Sequence, residues 1–178
     1  MAELTKEFNP LYEQLKALYK QLDTDMKIEF DRHVSAGDLI IDRWERAKMY
    51  GFGEGTSCYD NVLVIGEVKV GKNCWIGPNV ILDGSGGLVI GDNCSISAGV
   101  QIYTHDSVNW ATSMGKSEID RKATKLGHGV YVGPQSIVSM GVTIGDQCVI
   151  GAMSLVKKDV APRQKAYGSP AKIVRSQK

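Results

Sequence analysis

With 21 Lys and Arg against 20 Asp and Glu in 178 residues, the chain has a formal net charge of +1 and is 43% hydrophobic. That length suits one main domain with a short appendage, and the apolar fraction is enough for a buried core. No aromatic-interleaved basic stripe speaks for nucleic acid, and no apolar run is long enough for a membrane helix, so neither is expected as a partner. The start Met1-Ala2-Glu3-Leu4 lacks the basic residues and apolar stretch of a signal peptide, and the expected location is cytoplasmic.

Residues 1–50 read as an N-terminal helical cap. Asn9-Pro10 is a good helix start, with Asn as cap and Pro at the first helical position. Leu11, Leu15, Leu18 and Leu22 follow at helical spacing. A second helix is expected from Ser35, whose spacing to Asp38 resembles a capping box, to just before Gly51-Phe52-Gly53. Leu39, Ile40, the stem of Arg43 and Ala47 would form its apolar face, with Trp44 alongside. Both helices are expected to cover the open end of the domain that follows.

Residues 51–162 count in sixes. Units begin at Phe52, Cys58, Val64, Val70, Ile76 and Leu82, then at Ile90, Ile96 and Ile102, then at Leu126, Val132, Val138, Ile144, Ile150 and Val156. All are apolar, Gly often comes next, and the residue four positions after each start is small or apolar. This is the pattern of an all-β solenoid, a parallel β-helix of about five coils in which three units make one coil. Two interruptions break the count: a slip of two residues after the Leu82 unit and an insertion of eighteen after the Ile102 unit. Each follows the third unit of a coil, so both leave from one edge, which becomes the first place to look for function.

The four cysteines, Cys58, Cys74, Cys94 and Cys148, all fall on inward positions at spacings that match no zinc pattern. They are expected as free thiols that act as small hydrophobes, with Cys74 and Cys94 stacked on adjacent coils. The inserted loop, 107–125, is polar but carries Trp110 and Met114. The tail, 163–178, is expected to close the far end. From Val156 onward seven basic residues stand against the single acid Asp159, which suggests a phosphate-rich ligand. His105, at the edge where the long loop departs, is a well-placed base: an imidazole can take a proton from a hydroxyl or ammonium near neutral pH. Asp106 beside it could stabilise the imidazolium or hold acceptor hydroxyls.

Together with the repeats, the segments I-Y-T-H-D (102–106), V-I-G-A (149–152), V-K-K-D-V (156–160) and G-S-P-A-K-I-V (168–174) resemble the hexapeptide acyltransferases. Within that family residues 52–175 are similar to the galactoside and maltose O-acetyltransferases. The resemblance implies a left-handed β-helix, a homotrimer with active sites between subunits, acetyl-CoA as co-substrate and no metal. The implied reaction is acetyl transfer to a hydroxyl or amine of a sugar, by analogy a surface-glycan or nucleotide-linked sugar, with His105 as general base. Asp83, Asp106, Trp110 and Trp44 would line the acceptor site, with the G-F-G-E-G stretch (51–55) as a further approach. Tyr131, Pro134, Ala152, Lys157, Lys158, Lys172 and Arg175 would hold acetyl-CoA, Ala152 along the pantetheine and the cations toward the phosphates.

Two positions depart from the family's pattern. Ile76 stands where relatives carry a sugar-binding Asn, so galactoside chemistry does not carry over. Pro134 stands where they supply a donor near the thioester oxygen, and proline has no N–H. Two other functions compete. A γ-type zinc carbonic anhydrase would use His105 and His128, but His33 precedes the first rung and three ligands are needed. A non-catalytic β-helix scaffold would need neither His105 nor the basic tail.

Overall fold

The computed structural model describes residues 9–174, so Arg175 and the rest of the terminus lie outside the described residues. The chain forms two compact units, Met1–Asp42 and Arg43–Lys178. The first contains helix α1 (Asn9–Phe30) and the short helix α2 (Ala36–Ile40). Leu15, Leu18, Tyr19 and Leu22 of α1 and Leu39 and Ile40 of α2 line an apolar cavity of about 460 Å³. The second helix expected from Ser35 is interrupted. Ile41 takes an extended conformation (φ −125°, ψ 116°), and helix resumes only as α3 (Arg43–Met49), in the second unit. Ser35 makes no side-chain cap to the backbone; its hydroxyl bonds the Asp38 carboxylate at 3.2 Å. Among the described residues no helix is long and apolar enough to cross a membrane.

From Phe52 onward the hexapeptide count becomes three faces of parallel ladders. On the second face, Ser57-Cys58, Trp75-Ile76, Ser95-Ile96, Tyr131-Val132, Val149-Ile150 and Lys165-Ala166 stack in register. The third face stacks Val64, Leu82, Ile102, Val138 and Val156. The first stacks Val70, Ile90, Leu126 and Ile144, and a bridge adds Val160. Val160 and Ala166 thereby begin a sixth, partial turn beyond the five coils in the count. The strand Lys172–Val174 then folds back antiparallel on Lys165–Tyr167 and ends the stack. At the other end α3 is tied to the first coil by Phe52 N–H to Ala47 O at 3.0 Å, with Ala47 buried.

Unit-leading residues fill the interior because each inward aliphatic meets its counterparts one coil above and below. Ile76, Leu82, Ile96, Ile102, Ile144 and Ile150 are almost completely buried. The corner between the first and second faces is tight enough to demand glycine: a Cβ on Gly91 would lie 2.7 Å from the Gly127 carbonyl carbon, and one on Gly53 would lie 2.4 Å from that of Gly71. Carbonyls turned inward at this corner need donors. Thr56 supplies one to Gly71 O at 2.7 Å, Cys74 to Gly91 O at 3.1 Å, Cys94 to Gly127 O at 3.1 Å and Cys148 to Ala161 O at 3.0 Å. The cysteines are buried, and Cys74 and Cys94 occupy adjacent coils. They also act as donors to the bend.

The outward rows differ in character. The third face presents Leu63, Ile81, Gln101, Ile137 and Leu155, whereas the first presents Lys69, Val89, Lys125 and Thr143. Replacing inward Ile150 by Ala should destabilise the protein by about 2–5 kcal/mol. Lys125→Ala, on an outward row, should stay within about 0.5 kcal/mol. Urea denaturation of both variants checks the contrast.

Candidate active site

Both interruptions of the repeat emerge between the third and first faces. In the second coil the register runs Gly66 opposite Gly84, then Val68 opposite Leu88, so Glu67 alone faces Ser85, Gly86 and Gly87. The slip is a bulge. In the third coil His105-Asp106 pairs antiparallel with Asp120-Arg121, and Lys122 N–H closes the hairpin base on Thr104 O at 2.9 Å. The intervening loop is ordered around helix α4 (Val108–Thr112). Asp106 accepts from Val108 N–H at 2.7 Å, and Asn109 bonds Asp120 at 2.7 Å.

The bulge and the hairpin meet at His105. Its Nδ1 lies 2.6 Å from Asp83 Oδ2 and 3.2 Å from Ser85 Oγ. Asp83 is fully buried and also receives Thr104 N–H at 2.7 Å and Ser85 N–H at 3.0 Å. The Thr104 hydroxyl ties the two coils together, donating to Asp83 O at 2.8 Å and accepting from Gly86 N–H at 2.8 Å. Burial pushes the Asp83 carboxyl up, but the Thr104 N–H, the Ser85 hydroxyl and N–H and the His105 ring outweigh it. The net effect holds the group well below its ordinary value of 3.8. An ionised carboxylate at Nδ1 makes that nitrogen the donor, so Nε2 carries the lone pair. The imidazole is about one-third exposed, and Tyr103 packs edge-on against it with centroids 6.2 Å apart.

The partner of the histidine is therefore Asp83 and not its sequence neighbour Asp106, which holds the start of α4. Buried behind the imidazole, Asp83 does not line an acceptor surface as the sequence suggested. Ser85 and Thr104 were not singled out in the sequence. The signal was available in the stacking of Leu82 on Ile102, which brings residues 83–85 beside 103–105. Trp110 is half exposed on α4 and packs near Gly115. Trp44 lies on α3 against the first coil, where the Arg43 guanidinium stands 5.0 Å from its ring and 4.7 Å from that of Tyr59. That is two coils before His105, and the G-F-G-E-G stretch turns a different corner, with Gly53 N–H on Val70 O.

The donor candidates divide between two corners. Pro134 and Ala152 are exposed on adjacent coils between the second and third faces, where Met153 N–H bonds Pro134 O at 2.8 Å. Lys172 pairs with Tyr167 toward that corner, and Tyr131 points outward from the second face. Lys157 and Lys158 are exposed on the corner of His105, two coils further along. The third face lies between the two groups, and Arg163 on the remaining corner bonds Gln147 at 3.2 Å. Basic residues thus ring the last turns and do not form one cluster. Ile76 is buried inward. His128 turns the first corner, accepting from Asp92 N–H at 3.0 Å, and is not brought to His105.

A family model described as bacterial transferase hexapeptide (six repeats) matches residues 123–158, and one described as hexapeptide repeat of succinyl-transferase matches residues 67–104. Both matches fall on the stacked rungs, so the chain carries the hexapeptide repeat that these two models describe. Galactoside O-acetyltransferase of Escherichia coli is 30% identical over 109 residues, 61% of this chain and 54% of that protein. Chloramphenicol acetyltransferase of Morganella morganii is 36% identical over 49% of this chain and 50% of its own length. The chain thus spans about half the length of these hexapeptide-repeat relatives. Among solved structures, a galactoside acetyltransferase in complex with coenzyme A superposes with a TM-score of 0.64 at 25% identity, covering 92% of this chain and 82% of that one. A hexapeptide-repeat-containing acetyltransferase of Vibrio cholerae gives 0.59 at 25% identity and 93% coverage of both chains. The solenoid is the left-handed β-helix of these proteins.

The Asp83 environment makes a prediction for acid stability. Its folded-state pKa is depressed, so its contribution is complete above the ordinary value of 3.8 and is lost as pH falls through the lower folded value. The stability difference between the parent and Asp83→Asn should be largest near about pH 6 and narrow steadily below about pH 4. A difference independent of pH in denaturation experiments would contradict this assignment.

Proposed function

We propose that this chain transfers an acetyl group from acetyl-CoA to a hydroxyl or amine of a sugar, with His105 as the general base. The observation that carries this reading is the seating of His105 Nδ1 on the buried Asp83 carboxylate at 2.6 Å, which leaves Nε2 free to accept a proton. In this mechanism the acceptor oxygen or nitrogen attacks the thioester carbonyl as Nε2 removes its proton. The tetrahedral intermediate then collapses with cleavage of the carbon–sulfur bond, and the imidazolium returns the proton to the departing CoA thiolate. Asp83 stabilises the imidazolium between these events without itself being protonated. The coenzyme A bound by the structurally similar galactoside acetyltransferase supports the choice of donor.

Ala152, Pro134, Tyr131 and Lys172 on one side of the third face and Lys157 and Lys158 on the other would follow the donor from pantetheine to phosphates. Arg175 is proposed with them from the sequence alone. Trp110 is proposed on the acceptor side through α4, whose start Asp106 holds, and Trp44 would serve the acceptor only from a second copy. A surface-glycan or nucleotide-linked precursor sugar, acetylated in the cytoplasm, is the proposed substrate class.

His105→Ala should lower turnover by about 10²–10⁴-fold while leaving the affinity for CoA nearly unchanged. Steady-state kinetics and calorimetric titration separate the two effects, and near-normal turnover would remove His105 from the mechanism.

The apolar outward row of the third face, between the two groups of donor residues, supports a homotrimer with sites between chains. Sedimentation should give the mass of three chains. Full activity in a species of one chain's mass would overturn the shared site.

A further inference from the structure

The hairpin that carries His105 carries one more group that the proposed mechanism leaves unused. In its two-residue ladder His105 is directly opposite Arg121, while Asp106 is opposite Asp120. Directly opposed residues of an antiparallel pair project from the same face, with Cβ atoms about 5 Å apart. Arg121 therefore shares the face of the imidazole, and Asp106 and Asp120 project from the other.

Both acids are engaged there, Asp106 by Val108 N–H and Asp120 by Asn109. The Arg121 side chain is exposed and has no ion pair or side-chain hydrogen bond with the described residues. Its backbone is held at both ends of the ladder, by the pairing with His105 and by the adjoining Lys122 N–H on Thr104 O at 2.9 Å. A guanidinium carried on the same face as the proposed base, with no counter-ion among the described residues, is a fork for a planar or tetrahedral anion.

We propose that Arg121 selects an acceptor bearing a carboxylate or phosphate a few bonds from the group that is acetylated. This rests on the acetyl-transfer reading and names its substrate class: an anionic sugar, such as a sugar acid or sugar phosphate. The anion belongs to the acceptor because the group recognised must lie next to the atom that Nε2 deprotonates. The phosphates of CoA are separated from the thioester by the whole pantetheine arm.

The test uses the full-length protein, acetyl-CoA and matched acceptors, glucuronate against glucose and glucosamine 6-phosphate against glucosamine, with release of CoA thiol as the readout. The parent should favour the anionic member of a pair in kcat/KM, and Arg121→Gln should lower that value by about 10- to 10²-fold, to the level of the neutral member. Arg121→Lys should retain part of the preference, since it keeps the charge and loses the fork. Equal use of both members by the parent, or an undiminished preference in Arg121→Gln, overturns the proposal while leaving acetyl transfer intact. A variant that instead raises KM for acetyl-CoA equally with every acceptor places Arg121 on the donor and also overturns it. Transfer to none of the four acceptors by the parent overturns both this proposal and the reading on which it rests.

Discussion

Every feature of the second unit depends on one constraint, the in-register hydrogen bonding of each coil to the next. Parallel ladders on three faces hold each inward aliphatic over its counterpart, so a continuous core forms. The same constraint brings backbones together at the corners, where Gly53, Gly71, Gly91 and Gly127 stack with no room for a Cβ. It also turns carbonyls inward, and the Thr and Cys column answers them. Covalent distance along the chain then matters less than coil number. Asp83 and His105 are 22 residues apart and share a hydrogen bond because their coils are neighbours.

The site arises where that constraint is relaxed. A rung of ordinary length turns its corner with its polar groups already matched to the next rung. The extra residues of the second coil have no counterpart on the first, so Ser85 and Gly86 are free to bond the third coil, to His105 and Thr104. The hairpin of the third coil then carries His105 outward while its Nδ1 side stays tied to the buried acid. A charge buried as deeply as Asp83 is tolerated only with several donors, and here they come from two coils. The acid and the base are consequently fixed by the same bonds that join those coils.

The solenoid was legible in the sequence because its signal is repeated: one substitution at a unit start cannot hide a pattern carried by all the others. The corner was legible too, since the interruptions reveal themselves by breaking the count. The role of Asp83 was not, because a single carboxylate after a unit start reads as outward and polar until the register of the bulge is known. The thiols were read as hydrophobes for a related reason, since the direction of a corner carbonyl leaves no trace in composition. The break in the second helix at Ile41 was hidden by an apolar pattern that runs on through Ala47. Sequence could offer Trp44 and Trp110 as equal candidates, but the coils assign them to different levels of the stack.

The bulge and the hairpin both leave the ladder and rejoin it in register, so the stack above and below does not register how long they are. Residues 107–119 can therefore be lengthened, shortened or exchanged while the interior keeps its packing, whereas Ser85 and Gly86 stay bound to Asp83, His105 and Thr104. Such an arrangement separates two kinds of selection on one chain. Foldability is tested along the three faces, coil by coil, and the choice of what meets the imidazole is tested at a single edge. A scaffold divided in this way can acquire new chemistry around an unchanged acid–base pair, because change at that edge leaves the core as it was.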